Sequence, residues 1–133
     1  KNGAFIFISS TAGLNGFPYR SPYSASKWAI HGFMKTLAME AGPFGIRTNV
    51  IAPGCVEGAR IQAVIEREAA KKNTTPDVIR EAYKSGTSLQ TFVDAQDIAS
   101  MALFLASDQA SRISGQVIAV DGHTENPDPK IYI

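Results

Sequence analysis

The sequence predicts an α/β fold built around a parallel sheet. Three short apolar runs, at residues 4–9, 48–52 and 116–120, are suited to buried strands. Stretches with helical spacing of apolar residues separate these runs, and turn residues punctuate them. Strands that alternate with helices are typical of α/β architecture with parallel strands. Since the chain of 133 residues shows no internal repeat, low-complexity tract or linker, one domain is expected over residues 1–133.

The first strand is expected at residues 4–9, where an apolar run precedes Ser9 and Ser10. Such a run is suited to a strand buried on both faces, yet the sequence offers no earlier element to pair beside it. We therefore expect the chain to be a fragment of its domain.

A long helix is predicted over residues 23–41. Ser21 is expected to cap it, Pro22 suits its first turn, and Gly42-Pro43 ends it. Its apolar positions form a surface wider than one stripe: Trp28, Ile30, Phe33, Met34, Leu37, Met39 and Ala41. We expect the sheet to cover one side of this helix and a partner subunit to cover the other.

The second strand, residues 48–52, leads through Pro53-Gly54 into the least regular region, residues 55–92. Two amphipathic helices are predicted there, and Thr75-Pro76 is expected to cap and start the second. The charged residues 66–68 and 71–72 are expected on the solvent face of the first. Two helices on a long connection after a strand indicate a substrate-binding lid, with ordinary surface helices as the alternative.

The last helix and strand follow the 55–92 segment. Asp94 is expected to cap a helix that carries Ile98, Met101 and Leu105, and residues 116–120 form the third strand. The tail at residues 126–133 contains two prolines and is expected to be extended.

Composition argues against several classes of function. With a net charge of +1, the chain lacks the positive electrostatic potential that attracts nucleic acid or an anionic membrane. A small-molecule partner is therefore expected. The single cysteine, Cys55, forms neither an internal disulfide nor a thiolate metal site, so no metal is expected. Because no secretory signal is visible and no apolar run is long enough to cross a bilayer, we expect a cytoplasmic protein.

The chemistry is expected at the carboxyl ends of the strands, where ligands bind in open parallel sheets. The first strand ends at Ser10 and the second at Pro53-Gly54. Tyr23 and Lys27 lie four positions apart in the first turns of the long helix, so their side chains share a face. Because an ammonium group beside a phenol favours the phenolate, Tyr23 is a candidate proton donor and acceptor.

Five segments together form a recognisable pattern. Residues 7–13 (FISSTAG) and 23–27 (YSASK) place Ser10 thirteen positions before Tyr23. Residues 45–54 (GIRTNVIAPG), residues 97–108 with DIA and FLASD at their ends, and residues 114–122 (SGQVIAVDG) follow in order. This pattern resembles the active-site half of the short-chain dehydrogenase/reductase family, and it covers nearly the whole chain except the 55–92 segment and the tail.

The resemblance implies the C-terminal part of a Rossmann-like doubly wound parallel sheet: the last three strands, their flanking helices and a helical substrate lid. It implies hydride transfer between NAD or NADP and a carbonyl or secondary alcohol. Tyr23 would be the general acid/base, Ser10 would hydrogen-bond the reacting oxygen, and Lys27 would contact the nicotinamide ribose and tune Tyr23. Three further residues would lie along the nicotinamide: Pro53, Gly54 and Val56. A homodimer or homotetramer is expected.

The sequence also departs from the family pattern. The glycine-rich phosphate turn, the ribose-selecting residue and the catalytic asparagine would all precede Lys1, so the preference between NAD and NADP stays open. Gly58 stands where many relatives have a threonine that approaches the cofactor, and Arg60 is offered as its substitute. His123 replaces a second glycine.

Some neighbouring residues are expected to have no catalytic role. We interpret Ser9 as structural, Cys55 as a half-buried thiol, His31 as a surface or subunit-contact residue and His123 as a loop residue. The alternative to the enzyme is a catalytically silent fragment that serves as a structural or binding module, motivated by the exposed edge of the first strand.

Overall fold

The computed structural model describes residues 2–127, in which three parallel strands form one sheet. Strands β1 (Gly3–Ile8), β2 (Ile46–Pro53) and β3 (Val117–Val120) lie in the order β1-β2-β3. Four helices accompany them: α1 (Ser21–Ala41), α2 (Ala59–Lys71), α3 (Pro76–Ser85) and α4 (Ala95–Ala106). Short 3-10 turns lie at Thr11–Gly13, Gly42–Phe44 and Asp108–Ala110. The prediction of an α/β fold with parallel strands is confirmed.

The sheet is covered by α1 on one face and α4 on the other, because alternate residues of a strand point to opposite faces. On the α1 side, the ring of Phe7 meets Phe33 edge-on, with ring centroids 5.6 Å apart. On the α4 side, Ile51 of β2 is fully buried in one cluster with Leu105 and Ala110. β2 is thus covered on both faces, and its residues 48–52 are all buried, including the polar Thr48 and Asn49.

Two polar side chains of β2 hold the segment that leads into β3. The Arg47 guanidinium donates to the carbonyl oxygens of Leu105, at 2.7 Å, and Ser107, at 3.2 Å, which lie at the C-terminal end of α4. The Asn49 amide donates to the Ile113 carbonyl oxygen at 2.9 Å. These bonds satisfy carbonyl groups that a helix end and a loop leave unpaired, so both residues are structural.

Helix α1 begins slightly earlier than the sequence predicted. Ser21 is its first helical residue and not its cap; Arg20 occupies the cap position, without a side-chain hydrogen bond to the helix. Pro22 lies in the first turn, as expected. The Ser24 hydroxyl instead donates to the Ala12 carbonyl oxygen at 2.7 Å. The start of this helix is therefore fixed by contact with the 3-10 turn after β1, a tertiary contact that local capping rules do not contain.

The predicted starts of the later helices agree with the structure. The Thr75 hydroxyl accepts a hydrogen bond from the Val78 backbone N–H at 3.4 Å, and Pro76 is the first residue of α3. Before α4, the Asp94 backbone N–H donates to the Asp97 carboxylate at 2.7 Å, half of a capping box.

The 55–92 segment contains α2 and α3 and has a core of its own. Ile65, Ala69, Ile79 and Phe92 are buried together, apart from the cluster under α4. The prediction that residues 66–68 and 71–72 all face solvent is wrong in part, because Glu68 turns inward. Its carboxylate accepts hydrogen bonds from the Tyr83 hydroxyl, at 2.7 Å, and from the Lys72 ammonium, at 2.6 Å.

The outer side of α1 is exposed. Trp28 is 51% and Met39 81% solvent-exposed, whereas Met34 on the inner side is fully buried. Coverage of the outer side by a partner subunit stays a prediction. The predicted extended tail falls almost entirely outside the described residues. Among residues 2–127, no helix combines the length and the apolar content that crossing a bilayer requires.

Candidate active site

A cleft of about 620 Å³ opens at the carboxyl ends of the strands, between the junction of β1 with α1 and the 55–92 segment. All six residues singled out in the sequence line this one cleft: Ser10, Tyr23, Lys27, Pro53, Gly54 and Val56. They come from three separate stretches of chain. The parallel topology brings these stretches to the same edge of the sheet.

Ser10 reaches the cleft because β1 ends just before it. It caps the 3-10 turn Thr11–Gly13, and its hydroxyl oxygen accepts a hydrogen bond from the Ala12 backbone N–H at 3.1 Å. Within residues 2–127 this hydroxyl donates no hydrogen bond of its own. Its proton is therefore available to a ligand in the cleft.

Tyr23 and Lys27 meet on one face of α1, as their spacing predicted. The Lys27 ammonium nitrogen lies 5.6 Å from the centroid of the Tyr23 ring. The tyrosine is about one third exposed, at 36%. In the described part of the chain, neither the tyrosine hydroxyl nor the lysine ammonium has a hydrogen-bond partner. The Tyr23 hydroxyl and the Lys27 ammonium, unbonded within residues 2–127, thus face the same cleft as the undonated proton of the Ser10 hydroxyl, a combination that favours ligand binding.

The turn after β2 lies beside them, and its glycine is required by the neighbouring strand. The Gly54 backbone N–H donates to the Val120 carbonyl oxygen at 3.0 Å. A Cβ atom built on Gly54 would lie 2.8 Å from the Asp121 Cβ atom and 2.9 Å from its Cα atom. The sequence interpretation, that glycine there serves the approach of a ligand, is therefore incomplete, because β3 itself needs the space.

Gly58 has a backbone conformation that excludes the family's usual threonine. Its φ angle is +145°, in the region that side chains rarely adopt. Arg60 lies two residues later, lines the same cleft, and has no ion-pair partner among the described residues. Arg60, the substitute suggested from the sequence, thus lies at the cleft, and its role there stays a prediction.

The 55–92 segment forms the opposite wall of the cleft, including Ile61, Val64 and Tyr83. Burial, and then the Glu57 carboxylate, raise the pKa of the Cys55 thiol to about 11. Burial and the hydrogen bond to Glu68 likewise raise the pKa of the Tyr83 hydroxyl. Both groups are protonated near neutral pH, so this wall presents no thiolate and no phenolate to the cleft.

Two ion pairs hold this wall together, Arg80 with Glu57 and Lys72 with Glu68. The Arg80 guanidinium donates to the Glu57 carboxylate, and again to the Gln62 side-chain oxygen, each at 2.7 Å. At Glu68, burial alone would raise the carboxyl pKa, but the hydrogen bonds from Lys72 and Tyr83 outweigh it and lower the pKa. The Glu57 and Glu68 carboxylates are thus each paired with a neighbouring cation, Arg80 and Lys72 respectively.

The sequence interpretation of His31 is wrong. It is not a surface residue: only 7% of it is exposed, and its Nε2 atom lies 2.7 Å from the Ser9 hydroxyl oxygen. Ser9 is structural, as predicted, and donates to the Lys27 carbonyl oxygen at 3.3 Å. One signal in the sequence could have predicted this burial: His31 follows Lys27 by four residues, which places it on the inner face of α1.

Other cleft residues were not singled out from the sequence. Phe17 and Arg20 line the rim before α1, with the Arg20 guanidinium 5.5 Å above the Phe17 ring. Thr87 and Thr124 line the far end and pair with one another across a short antiparallel bridge. His123 stays in its loop, as expected, with its Nδ1 atom 3.0 Å from the Ser88 hydroxyl oxygen and a positive φ of 62°.

Comparison with known proteins gives consistent matches. A family model described as enoyl-(acyl carrier protein) reductase matches residues 1–123. A 3-oxoacyl-(acyl-carrier-protein) reductase from Chlamydia muridarum is 38% identical over 122 residues, which are 92% of this chain and 45% of that protein. A D-beta-hydroxybutyrate dehydrogenase from Rhizobium meliloti is 36% identical over 121 residues, 90% of this chain and 47% of that protein.

Solved structures agree with these matches. An actinorhodin polyketide ketoreductase with NADPH superposes with a TM-score of 0.87 at 28% identity, covering 94% of this chain and 48% of that one. A short chain dehydrogenase family protein from Francisella tularensis gives a TM-score of 0.85 at 27% identity, covering 90% and 49%. The chain spans about half the length of the proteins it matches.

Proposed function

Because this chain belongs to the short-chain dehydrogenase/reductase family, we propose that the natural protein containing it is an oxidoreductase. It transfers a hydride between NAD or NADP and a carbonyl or secondary alcohol of a small molecule. The observation that carries this proposal is the cleft lined by Ser10, Tyr23 and Lys27, whose side chains donate no hydrogen bond to any other group within residues 2–127.

The residues at the cleft fit the nicotinamide half of such a cofactor. A ribose hydroxyl and a reacting oxygen both need hydrogen-bond donors, and the side chains of Lys27, Tyr23 and Ser10 supply them from one wall. The turn from Pro53 through Val56 offers backbone along the same cleft. When bound, the cofactor supplies or accepts the hydride.

Tyr23 is the general acid/base of the proposed reaction. In the reducing direction the carbonyl oxygen of the substrate gains one proton, which the Tyr23 hydroxyl donates. In the oxidising direction the alcohol oxygen of the substrate returns this proton to the Tyr23 oxygen. Ser10 donates a hydrogen bond to that oxygen and holds it against the tyrosine. The Lys27 ammonium stabilises the phenolate that remains after donation.

Removal of the Tyr23 hydroxyl tests this assignment directly. In the natural protein, Tyr23→Phe keeps the ring but removes the proton, so turnover of a ketone or alcohol panel with NADH, NADPH and their oxidised forms should fall by about 100-fold or more. The matched control is Tyr19→Phe, since Tyr19 is fully exposed in the loop before α1. Unchanged turnover in Tyr23→Phe would refute the mechanism.

One observation favours a second candidate, a non-catalytic structural or binding module. β1 forms an edge of the sheet, and its Phe5 is 49% exposed and Ile8 46% exposed. An apolar edge strand of this kind pairs readily with another strand. Intact mass of the natural protein and its titration with NADH and NADPH distinguish the two: a protein near 14.3 kDa that binds neither would be the module.

The proposed enzyme is a homodimer or homotetramer. The exposed apolar side of α1, with Trp28 and Met39, supports this assembly because contiguous apolar surface on a helix favours a protein partner. The 55–92 segment is proposed to close over the substrate as a lid. It forms the cleft wall opposite Tyr23 and selects the substrate by its shape.

A further inference from the structure

His31 occupies an interior position behind the proposed catalytic groups. It follows Lys27 by one helical turn, is 7% exposed, and does not line the cleft. Its Nε2 atom lies 2.7 Å from the Ser9 hydroxyl oxygen, which itself lies 3.3 Å from the Lys27 carbonyl oxygen. One hydroxyl oxygen therefore joins the end of β1 to two successive turns of α1.

The direction of these hydrogen bonds follows from counting protons. The Ser9 hydroxyl has a single proton, which it donates to the Lys27 carbonyl oxygen. His31 must then donate its Nε2 proton to the Ser9 oxygen. Burial, and then the Lys35 ammonium, lower the pKa of His31, so the ring is neutral at neutral pH and donates from this one nitrogen.

The space around this junction is filled. A Cβ atom built on Gly13 would lie 2.6 Å from the Ser9 hydroxyl oxygen and 2.9 Å from the His31 Nε2 and Cε1 atoms. Neither the serine nor the imidazole has room to shift toward the 3-10 turn. Gly13 therefore limits the movement of both side chains on this side of the junction.

We propose that His31 is a positioning residue that sets Ser10 and Lys27 at the correct separation through Ser9. Ser9 is bonded covalently to Ser10, and its other partner is the backbone of Lys27 itself. The neighbouring hydrogen bond from Ser24 to the Ala12 carbonyl oxygen is independent of His31 and keeps α1 docked when His31 is changed. This inference rests on the proposed function of Ser10, Tyr23 and Lys27.

Two substitutions in the natural protein test the role. His31→Leu removes the donor and keeps an apolar side chain, whereas His31→Gln retains an N–H the same number of bonds from the backbone. We expect His31→Leu to lower kcat by about 10- to 100-fold, the range expected from sub-ångström to 1 Å misplacement of catalytic groups, with a smaller change in KM. His31→Gln should recover most of kcat.

A second pair perturbs the junction without touching His31. Gly13→Ala crowds Ser9 and His31, so it should lower kcat in the same way. Gly16→Ala is its matched control in the same loop, because no atom lies within 4 Å of the added methyl group. If His31→Leu fails to fold, this pair alone decides: equal kcat in both alanine variants would overturn the proposal.

The results also separate this inference from the proposed function. Loss of thermal stability in both His31 variants with normal kcat per folded molecule would show a purely structural role and overturn the positioning proposal. An inactive Tyr23→Phe variant together with a fully active His31→Leu variant would also overturn the positioning proposal. The proposed oxidoreductase function would then still hold. An active Tyr23→Phe instead removes the catalytic assignment on which the positioning role depends.

Discussion

The contact between Gly54 and β3 gives a sharp prediction about the turn that follows β2. In Gly54→Ala the new methyl carbon would lie 2.8 Å from the Asp121 Cβ atom, 2.9 Å from its Cα atom and 3.2 Å from its carbonyl oxygen. Two of these are backbone atoms at the end of a hydrogen-bonded strand, so they do not move aside as a flexible side chain would. The turn and β3 must separate, which weakens the 3.0 Å bond from the Gly54 N–H to the Val120 carbonyl oxygen.

The size of the effect follows from the cost of overpacking. Insertion of a methyl group into a closely packed site costs about 1–3 kcal/mol, and loss of one backbone hydrogen bond adds about 1 kcal/mol. We therefore expect Gly54→Ala to lower the free energy of unfolding by about 2–4 kcal/mol. Because the same turn lines the cleft, KM for the nicotinamide cofactor should rise as well.

Urea unfolding of the natural protein, followed by circular dichroism, measures the stability change. Gly16→Ala again serves as the control, since its methyl group meets nothing within 4 Å and its stability should change by less than about 1 kcal/mol. Equal unfolding midpoints for the two variants would show that β3 does not restrict the turn, and the explanation of Gly54 would be withdrawn.

Two further predictions concern the same side of the cleft. Because burial and Glu57 raise the pKa of Cys55 from 9.0 to about 11, its alkylation rate should keep rising about tenfold per pH unit up to that pH. Peptide mapping after iodoacetamide measures this rate, and a plateau below pH 9 would contradict the assigned environment. Gly58→Thr introduces the residue that the family resemblance implies, but at a φ of +145° it should destabilise the protein by about 1–3 kcal/mol. Unfolding midpoints of Gly58→Thr and Gly58→Ala check this, and an unchanged midpoint in both would show that the backbone there is not restrictive.

Local sequence rules succeeded where the controlling contacts lie close together in the chain. The strand β2 and the helices α3 and α4 were predicted from signals that act over a few residues: the apolar residues 50–52 before Pro53-Gly54, the Thr75-Pro76 start and the Asp94 cap. They failed at Ser21 and at Glu68. The start of α1 depends on a bond to Ala12 and the position of Glu68 on a bond to Tyr83, and neither partner is near in sequence.

The residues in and behind the candidate site were likewise predicted only in part. Ser10, Tyr23 and Lys27 were identified from their spacing and resemblance, and their catalytic roles stay predictions, although the structure brings all three to one cleft. His31 was misplaced because no partner for a buried polar ring is visible in the sequence, although its spacing from Lys27 puts it on the inner face of α1. The reason, the Ser9 hydroxyl, comes from another strand.

The alternation of strands and helices could be predicted from the sequence, because apolar periodicity and turn residues are local properties of a chain. This alternation also predicted the edge of the sheet at which the polar residues lie. Only the folded structure shows why Gly54 must be glycine, that the Gly58 backbone has a positive φ, and which atom His31 contacts. Each of these depends on the distance between atoms that only folding brings together, and no spacing along the chain encodes such a distance.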